Sequence, residues 1–320
     1  MTAAAVTVVV VTYQNRDHIV GCLESLRGQV PADGSQVVVF DNGSADGTAD
    51  LVEATFPTVR VMRSTENVGF ARGCNLAAAT AVTEFILLLN PDTVVQPGCL
   101  DALLGLARRQ PDAGLYGGRT RRPTGELDPM SCWGRPTIWS LICFATGLSA
   151  AFPRSAFFHR EGLGGWARDS ERQVDIVSGC LLLARRDVWA VLGGFDEGFF
   201  MYGEDADLGI RARAAGYRSI ITPEAEIVHL VGGSSPAIGK EVLLFRGKVT
   251  LVDKLWSGPA RALARKLLST GVWLRARASG GVRSVLARPS THRTRTAPGT
   301  WSELWVRRRE WQQGWSGWPR

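Results

Sequence analysis

Eight short segments between Val6 and Arg109 alternate between two patterns, and this alternation limits the possible folds more than any other feature. Val6 to Thr12 (VTVVVVT), Gln36 to Asp41 (QVVVFD), Val59 to Arg63 and Phe85 to Asn90 (FILLLN) are apolar runs of strand length. Asp17 to Leu26, Asp46 to Phe56, Phe70 to Ala81 and Gly98 to Arg109 lie between and after them and read as helices. Continuous apolar runs are strands buried on both faces, whereas half-solvated strands alternate. Repeated strand–helix units imply right-handed crossovers, hence an α/β class with a mostly parallel central sheet and helices on both faces. Ligands of such sheets gather beyond the carboxyl ends of the strands. Asp92 follows FILLLNP at one such end, where a carboxylate can also cap the helix that comes next.

The other strand ends are polar as well. The first runs into Thr12-Tyr13-Gln14-Asn15 and the second into Asp41-Asn42-Gly43-Ser44-Ala45-Asp46-Gly47. Ser44 and Asp46 already supply helix caps, which leaves Asp41 as a candidate ligand residue. No GxGxxG follows the first strand and no GxxxxGK[ST] occurs, which counts against a dinucleotide enzyme and a P-loop NTPase. In ENVGFARGCN, Gly69 and Gly73 permit close backbone approach and Arg72 offers a planar donor fork; a helix start with a solvated arginine is the simpler alternative. Val174 to Ala184 reads as one strand containing Ser178-Gly179-Cys180. FFMYGEDADL then enters a helix with Glu204, Asp205 and Asp207 in its first turn, where the helix dipole favours acids. Glu226 to Ser234 reads as a strand carrying His229, and a lone histidine there is ordinarily core.

Charge is divided unevenly along the 320 residues. Residues 1 to 239 hold 20 Lys and Arg against 26 Asp and Glu, while residues 240 to 320 hold 17 against 4 and seven of the eleven tryptophans. The expected organisation is a catalytic domain over 1–239, with halves 1–118 and 119–239, then a helical segment over 240–279 and a basic, Trp-rich, flexible tail over 280–320. The two helices expected in that extension are Val242 to Leu255 and Ala260 to Ala276, and Gly280 to Pro298 is expected to be disordered. A basic stretch with tryptophans suits an anionic membrane surface better than nucleic acid, for which no motif is present. Ile138 to Phe152 is apolar enough to be either core or a surface leaning on lipid. The six cysteines form no CxxC pair, and the N-terminal MTAAAVTVVVV lacks a basic leader. Both features fit a reduced cytoplasmic protein, peripheral on the inner face of the cell membrane.

Taken in order, VVVVTYQN, VFDNGSADGT, ENVGFARGCN, LLLNPDT and GGFDEGFFMYGEDADLGIRARAAGYR resemble the family 2 glycosyltransferases of the GT-A fold, within them the bacterial rhamnosyltransferase-like branch. The resemblance spans Val6 to Ser235. It implies an inverting transfer of a sugar, L-rhamnose from dTDP-L-rhamnose first and UDP-galactofuranose or another UDP-sugar second. The acceptor it implies is a hydroxyl of a cell-envelope glycan or polyprenyl-linked saccharide. It also implies a divalent cation, Mg²⁺ or Mn²⁺, at a DXD-type motif that here reads Asn90-Pro91-Asp92, with His229 completing the site. Asp205 falls at the family's base, beside Glu204. Thr12, Tyr13, Asn15, Asp41, Asn42, Asn67, Arg72, Asn75 and Asn90 fall where the sugar nucleotide binds. A non-catalytic nucleotide-sugar-binding protein is the alternative, because Asn90 replaces an acid; a nucleotidyltransferase would need a Gly- and Lys-rich first loop.

Overall fold

The computed structural model describes residues 5–32, 34–230, 237–281 and 300–315. In chain order the first unit contains β1 (Val6–Thr12), α1 (Arg16–Ser25), β2 (Gln36–Asp41), α2 (Thr48–Thr55), β3 (Arg60–Arg63), α3 (Phe70–Ala78), β4 (Phe85–Leu89), β5 (Thr93–Val95), α4 (Cys99–Arg109), β6 (Gly114–Arg121), β7 (Leu127–Asp128) and β8 (Cys132–Trp133). The short helices α5 (Ile138–Thr146) and α6 (Leu148–Ala151) belong to the second unit. The first unit resumes with β9 (Arg172–Val174), β10 (Ile176–Val177), β11 (Leu181–Arg185), α7 (Arg186–Leu192), α8 (Glu204–Ala214) and β12 (Arg218–His229).

The main sheet has the order β3-β2-β1-β4-β11-β6-β12-β5, with β7 added beside β6 and β9 beside β12. β1, β2, β3 and β4 are mutually parallel, β11 runs antiparallel between β4 and β6, and β12 is parallel to β6. All seven residues of β1 and all five of β4 are buried, as strands covered by helices on both faces require. The core joins Val8, Val10, Leu87, Leu89, Leu181 and Leu183 of the sheet to Ile19, Leu23, Leu100 and Leu103 of the flanking helices.

This topology delivers one functional edge. Thr12 sits opposite Asp41, Leu89 opposite Leu181, and Thr93 opposite His229, so the ends of β1, β2, β4 and β12 and the start of β11 all open the same way. The sequence reading of one strand over Val174–Ala184 needs correction: the chain leaves the ladder at Ser178, Gly179 and Cys180, between β10 and β11. There the backbone N–H of Ser178 bonds Ser131 O and that of Gly179 bonds a side chain, so neither is offered to a neighbouring strand.

The second unit comprises 136–165 together with the C-terminal residues from 235. It therefore includes a segment that the sequence reading assigned to the catalytic half. α9 (Ala237–Leu255) and α10 (Gly258–Gly281) are followed by α11 (Thr300–Val306) and α12 (Arg308–Trp311). Leu141 of α5 packs with Val242, Phe245, Val249, Ala264, Leu268, Leu304 and Trp311 in a separate core. The expectation of a flexible tail fails over 300–315: Trp311 is fully buried, its indole N–H bonds Leu304 O at 2.9 Å, and Trp315 is buried too. Those tryptophans are spent on packing rather than on a membrane surface. The disorder expected over Gly280–Pro298 falls almost wholly outside the described residues. All six cysteines are free thiols, and among the described residues no helix is long and apolar enough to cross a membrane.

Candidate functional site

Asp92 lies in the turn between β4 and β5, and the antiparallel pairing of β5 with β12 brings His229 across to it. His229 Nε2 is 3.1 Å from Asp92 Oδ1, and Leu230 N bonds Asp92 O at 2.8 Å. Burial alone would raise this carboxyl, but the hydrogen bond and charge of His229, helped by His18 of α1, hold it below the ordinary carboxylate range. His18 escapes sequence reasoning because a lone histidine in an amphipathic helix carries no signal. A carboxylate oxygen and an imidazole nitrogen at the sheet edge form a donor set that fits Mg²⁺ or Mn²⁺. Among the described residues no group of three or more His, Cys, Asp or Glu gathers there. Asn90 fixes the turn: its side-chain NH₂ donates to Cys180 Sγ at 3.1 Å and its backbone carbonyl accepts the Thr93 hydroxyl at 2.6 Å.

The acids of α8 diverge although they are adjacent in sequence. Gly203, at φ +101°, turns the chain into the helix. Asp205 is half-buried, accepting Gly179 N–H at 3.2 Å on Oδ2 and Ala206 N–H at 2.8 Å on Oδ1. Burial pushes its carboxyl up to about 6 against the opposing pull of those N–H groups. Glu204 is buried, with Oε2 lacking a hydrogen-bond partner, and burial followed by the charges of Asp205 and Asp207 lifts it well above the ordinary range. Asp207 is instead bound to Arg211 Nε at 2.6 Å, and that guanidinium also ties down Leu192 O and Gly194 O.

The strand break connects the two groups of acids. Gly179 N–H holds Asp205, and the next residue, Cys180, accepts Asn90 N–H on its carbonyl at 3.2 Å, two residues before Asp92. Burial pushes the Cys180 thiol up to about 12, and the charges of Asp92 and Asp205 push the same way, so both carboxylates lie within electrostatic reach of that sulfur. This bridge of consecutive residues cannot be read from an apolar run.

Beyond β1 and β2, three buried polar atoms lack partners: Thr12 Oγ1, Asn15 Oδ1 and Asp41 Oδ1. Buried polar groups are nearly always satisfied, so a cluster of orphans at the carboxyl edge marks a place for donor and acceptor groups of a ligand. Asp41 Oδ2 accepts Ser44 N–H at 3.2 Å, while burial raises its carboxyl. Tyr13 is exposed at 40%. Asn42 bonds Asn67 Oδ1 at 3.0 Å and Gly69 O at 3.1 Å and accepts Val68 N–H at 2.8 Å, so Asn42 and Asn67 shape the loop before α3. Gly69 must be glycine: its φ is +90°, and a Cβ would lie 2.6 Å from Phe200 O.

Of two further residues expected at the nucleotide, Asn75 has other work. Asn75 donates to Phe195 O at 2.8 Å and Glu197 Oε1 at 3.1 Å and accepts Phe195 N–H at 2.9 Å, committing its whole amide to the Gly193–Glu197 loop. Arg72 stands half-exposed, 3.7 Å from Glu197.

Comparison with known proteins identifies the family. The Glycosyl transferase family 2 profile matches residues 7–163. An N-acetylglucosaminyl-diphospho-decaprenol L-rhamnosyltransferase of Mycobacterium tuberculosis is 36% identical over 236 residues, spanning 69% of this chain and 75% of that one. The O-antigen biosynthesis protein RfbC of Myxococcus xanthus is 33% identical over 48% of this chain and 12% of its own length. Among solved structures, the mannosyltransferase PcManGT from Pyrobaculum calidifontis, in complex with GDP-Man and Mn²⁺, superposes with a TM-score of 0.54 at 21% identity, covering 98% of this chain and 84% of that one. GalNAc-T7 with UDP, GalNAc and Mn²⁺ gives a TM-score of 0.58 at 15% identity, over 97% of this chain and 54% of the other. These structures share the GT-A architecture, and the chain belongs to glycosyl transferase family 2, as a glycosyltransferase.

Proposed function

We propose that the enzyme transfers L-rhamnose from dTDP-L-rhamnose to a hydroxyl of a lipid-linked saccharide of the cell envelope, inverting the anomeric carbon, at the inner face of the membrane. The observation carrying the chemistry is geometric: Asp92 stands against His229, Asp205 against Gly179 N–H, and Gly179 and Cys180 join the two at one sheet edge, with the first carboxyl shifted low and the second high. Such divergence marks groups with different acid–base duties. The mycobacterial relative supplies the sugar and the acceptor class.

Thr12, Asn15 and Asp41 offer their unpartnered atoms to the base and ribose of the donor. The loop shaped by Asn42 and Asn67 closes beside them. Asp92 and His229 would hold Mg²⁺ or Mn²⁺, which when bound offsets the charge of the departing diphosphate. Asp205 accepts the acceptor hydroxyl's proton on a carboxylate oxygen as that hydroxyl attacks opposite the leaving group. A carboxyl raised toward 6 is a better base than an ordinary aspartate yet is still ionised at neutral pH. Glu204 lies buried beside it, its carboxyl raised by burial and by the charges of Asp205 and Asp207.

A donor screen reading released nucleoside diphosphate, with and without excess EDTA, tests this reading. Turnover with dTDP-L-rhamnose that chelation abolishes and Mn²⁺ or Mg²⁺ restores is expected. Turnover with UDP-galactofuranose alone would overturn the sugar assignment. Full activity in EDTA would remove the metal role of Asp92 and His229. Donor binding with no transfer to any lipid-linked saccharide would favour the non-catalytic alternative.

A further inference from the structure

In the second unit, the residues following α6 expose an aromatic platform that no part of the proposed transfer uses. Phe152 is 50% exposed and Phe157 59% exposed. They are not isolated: Phe158 lies against each with ring centroids 5.1 Å apart, tilted to Phe152 and edge-on to Phe157, and the Trp139 ring of α5 is centred 5.0 Å from that of Phe157. The Trp139 indole N–H bonds Phe157 O at 2.8 Å, and Ser155 N bonds Phe152 O at 3.1 Å, so the rings are presented on an ordered backbone. Arg154 and Arg160 belong to the same segment and are exposed. Single exposed apolar side chains are commonplace, but a contiguous exposed aromatic cluster marks an interaction surface.

The charge of the unit identifies the partner. Residues 136–165 and 235–319 carry 18 Lys and Arg against 5 Asp and Glu. Aromatic rings on a strongly basic body suit the interface of an anionic bilayer, where rings settle at headgroup depth and cations meet the lipid charge. With no spanning helix among the described residues, contact of this kind would be in the plane of the surface. We propose that Phe152 and Phe157, backed by Trp139 and Phe158 and joined by the exposed Arg154 and Arg160 of the same segment, anchor the enzyme to anionic membrane. The anchor is this platform rather than the tail tryptophans, of which Trp311 and Trp315 are buried.

The test is sedimentation of the full chain with sucrose-loaded vesicles, without donor or acceptor, so its outcome is independent of the transfer reading. Vesicles of equal parts phosphatidylglycerol and phosphatidylcholine are expected to bind the protein at least about tenfold better than pure phosphatidylcholine. The Phe152→Ser/Phe157→Ser variant is expected to lose roughly tenfold of that partition, and Arg154→Gln and Arg160→Gln about fivefold each. All these side chains are exposed, so thermal melts matching the wild type are expected. Undiminished binding by the double phenylalanine variant, or no binding by the wild type at low salt, would overturn the proposal. So would a concentration-dependent dimer in light scattering that the phenylalanine variant abolishes, because the platform would then serve a second copy.

Discussion

The end of β4 and the start of α8 each place an aspartate at the open edge of the sheet, and their surroundings drive the two carboxyls apart. Asp92 has an imidazole 3.1 Å away and sits below the ordinary range. Asp205 accepts the backbone N–H groups of Gly179 and Ala206 beside the buried Glu204, and burial lifts it to about 6. Burial raises both; the hydrogen bond from His229 outweighs it at Asp92, while backbone N–H groups only oppose it at Asp205. One carboxylate is thereby kept as a permanent anion, suited to a cation, while the other is poised to take up a proton. Two acids of identical chemistry are assigned different duties by what stands within hydrogen-bond reach.

The largest expected effect breaks the α8 side of this contrast. Asp205→Asn keeps the shape and removes the base, so transfer should fall by about 10²–10⁴-fold. Donor affinity, measured by calorimetry, should remain within about twofold because uniform binding is untouched. Next comes the β4 side. Asp92→Ala should lower turnover by roughly 10²-fold, since a cation clamp on the leaving group is worth several kcal/mol, and should weaken Mn²⁺ binding in a direct titration. His229→Ala should move both quantities the same way by less.

A smaller effect separates site from scaffold. Asn75 carries three hydrogen bonds to the Phe195–Glu197 loop, so Asn75→Ala should cost about 1–3 kcal/mol of stability. Donor affinity of the folded variant should be unchanged; a large loss of affinity would return Asn75 to the nucleotide site. The smallest effect comes from linkage at Asp205. Its folded carboxyl is raised from 3.8 to about 6, so folding favours the protonated form. That contribution is complete below pH 4 and is lost as pH climbs through 6. Asn cannot ionise, so Asp205→Asn should melt level with wild type at pH 4 and about 2–4 °C higher at pH 8, scaled for partial exposure.

The parallel half of the sheet was legible because its strands are continuous apolar runs: β1 and β2 match their sequence ranges and β4 differs by one residue. The break before β11 was not legible. Ser178 to Cys180 are compatible with a strand by composition, and only their long-range bonds to Ser131, Asp205 and Asn90 remove them from one. Asp92, His229, Glu204 and Asp205 were visible as acids and a histidine at element ends, but their opposed electrostatics depend on packing between distant segments. The C-terminal tryptophans misled for a related reason. Basic residues and tryptophans describe a solvated tail equally well as an amphipathic helix, and Trp311 is buried only because Phe245 and Leu304 stand against it.

The central claim is that Asp205 is the proton acceptor because its surroundings raise it while those of Asp92 do not. The pH dependence of kcat/KM tests it most directly, since that profile reports ionisations of the free enzyme. The account predicts a rate that rises with pH on an acidic limb centred near 6, belonging to the coupled pair of Glu204 and Asp205. A profile flat from pH 5 to 8, or a limb near 4, would contradict it.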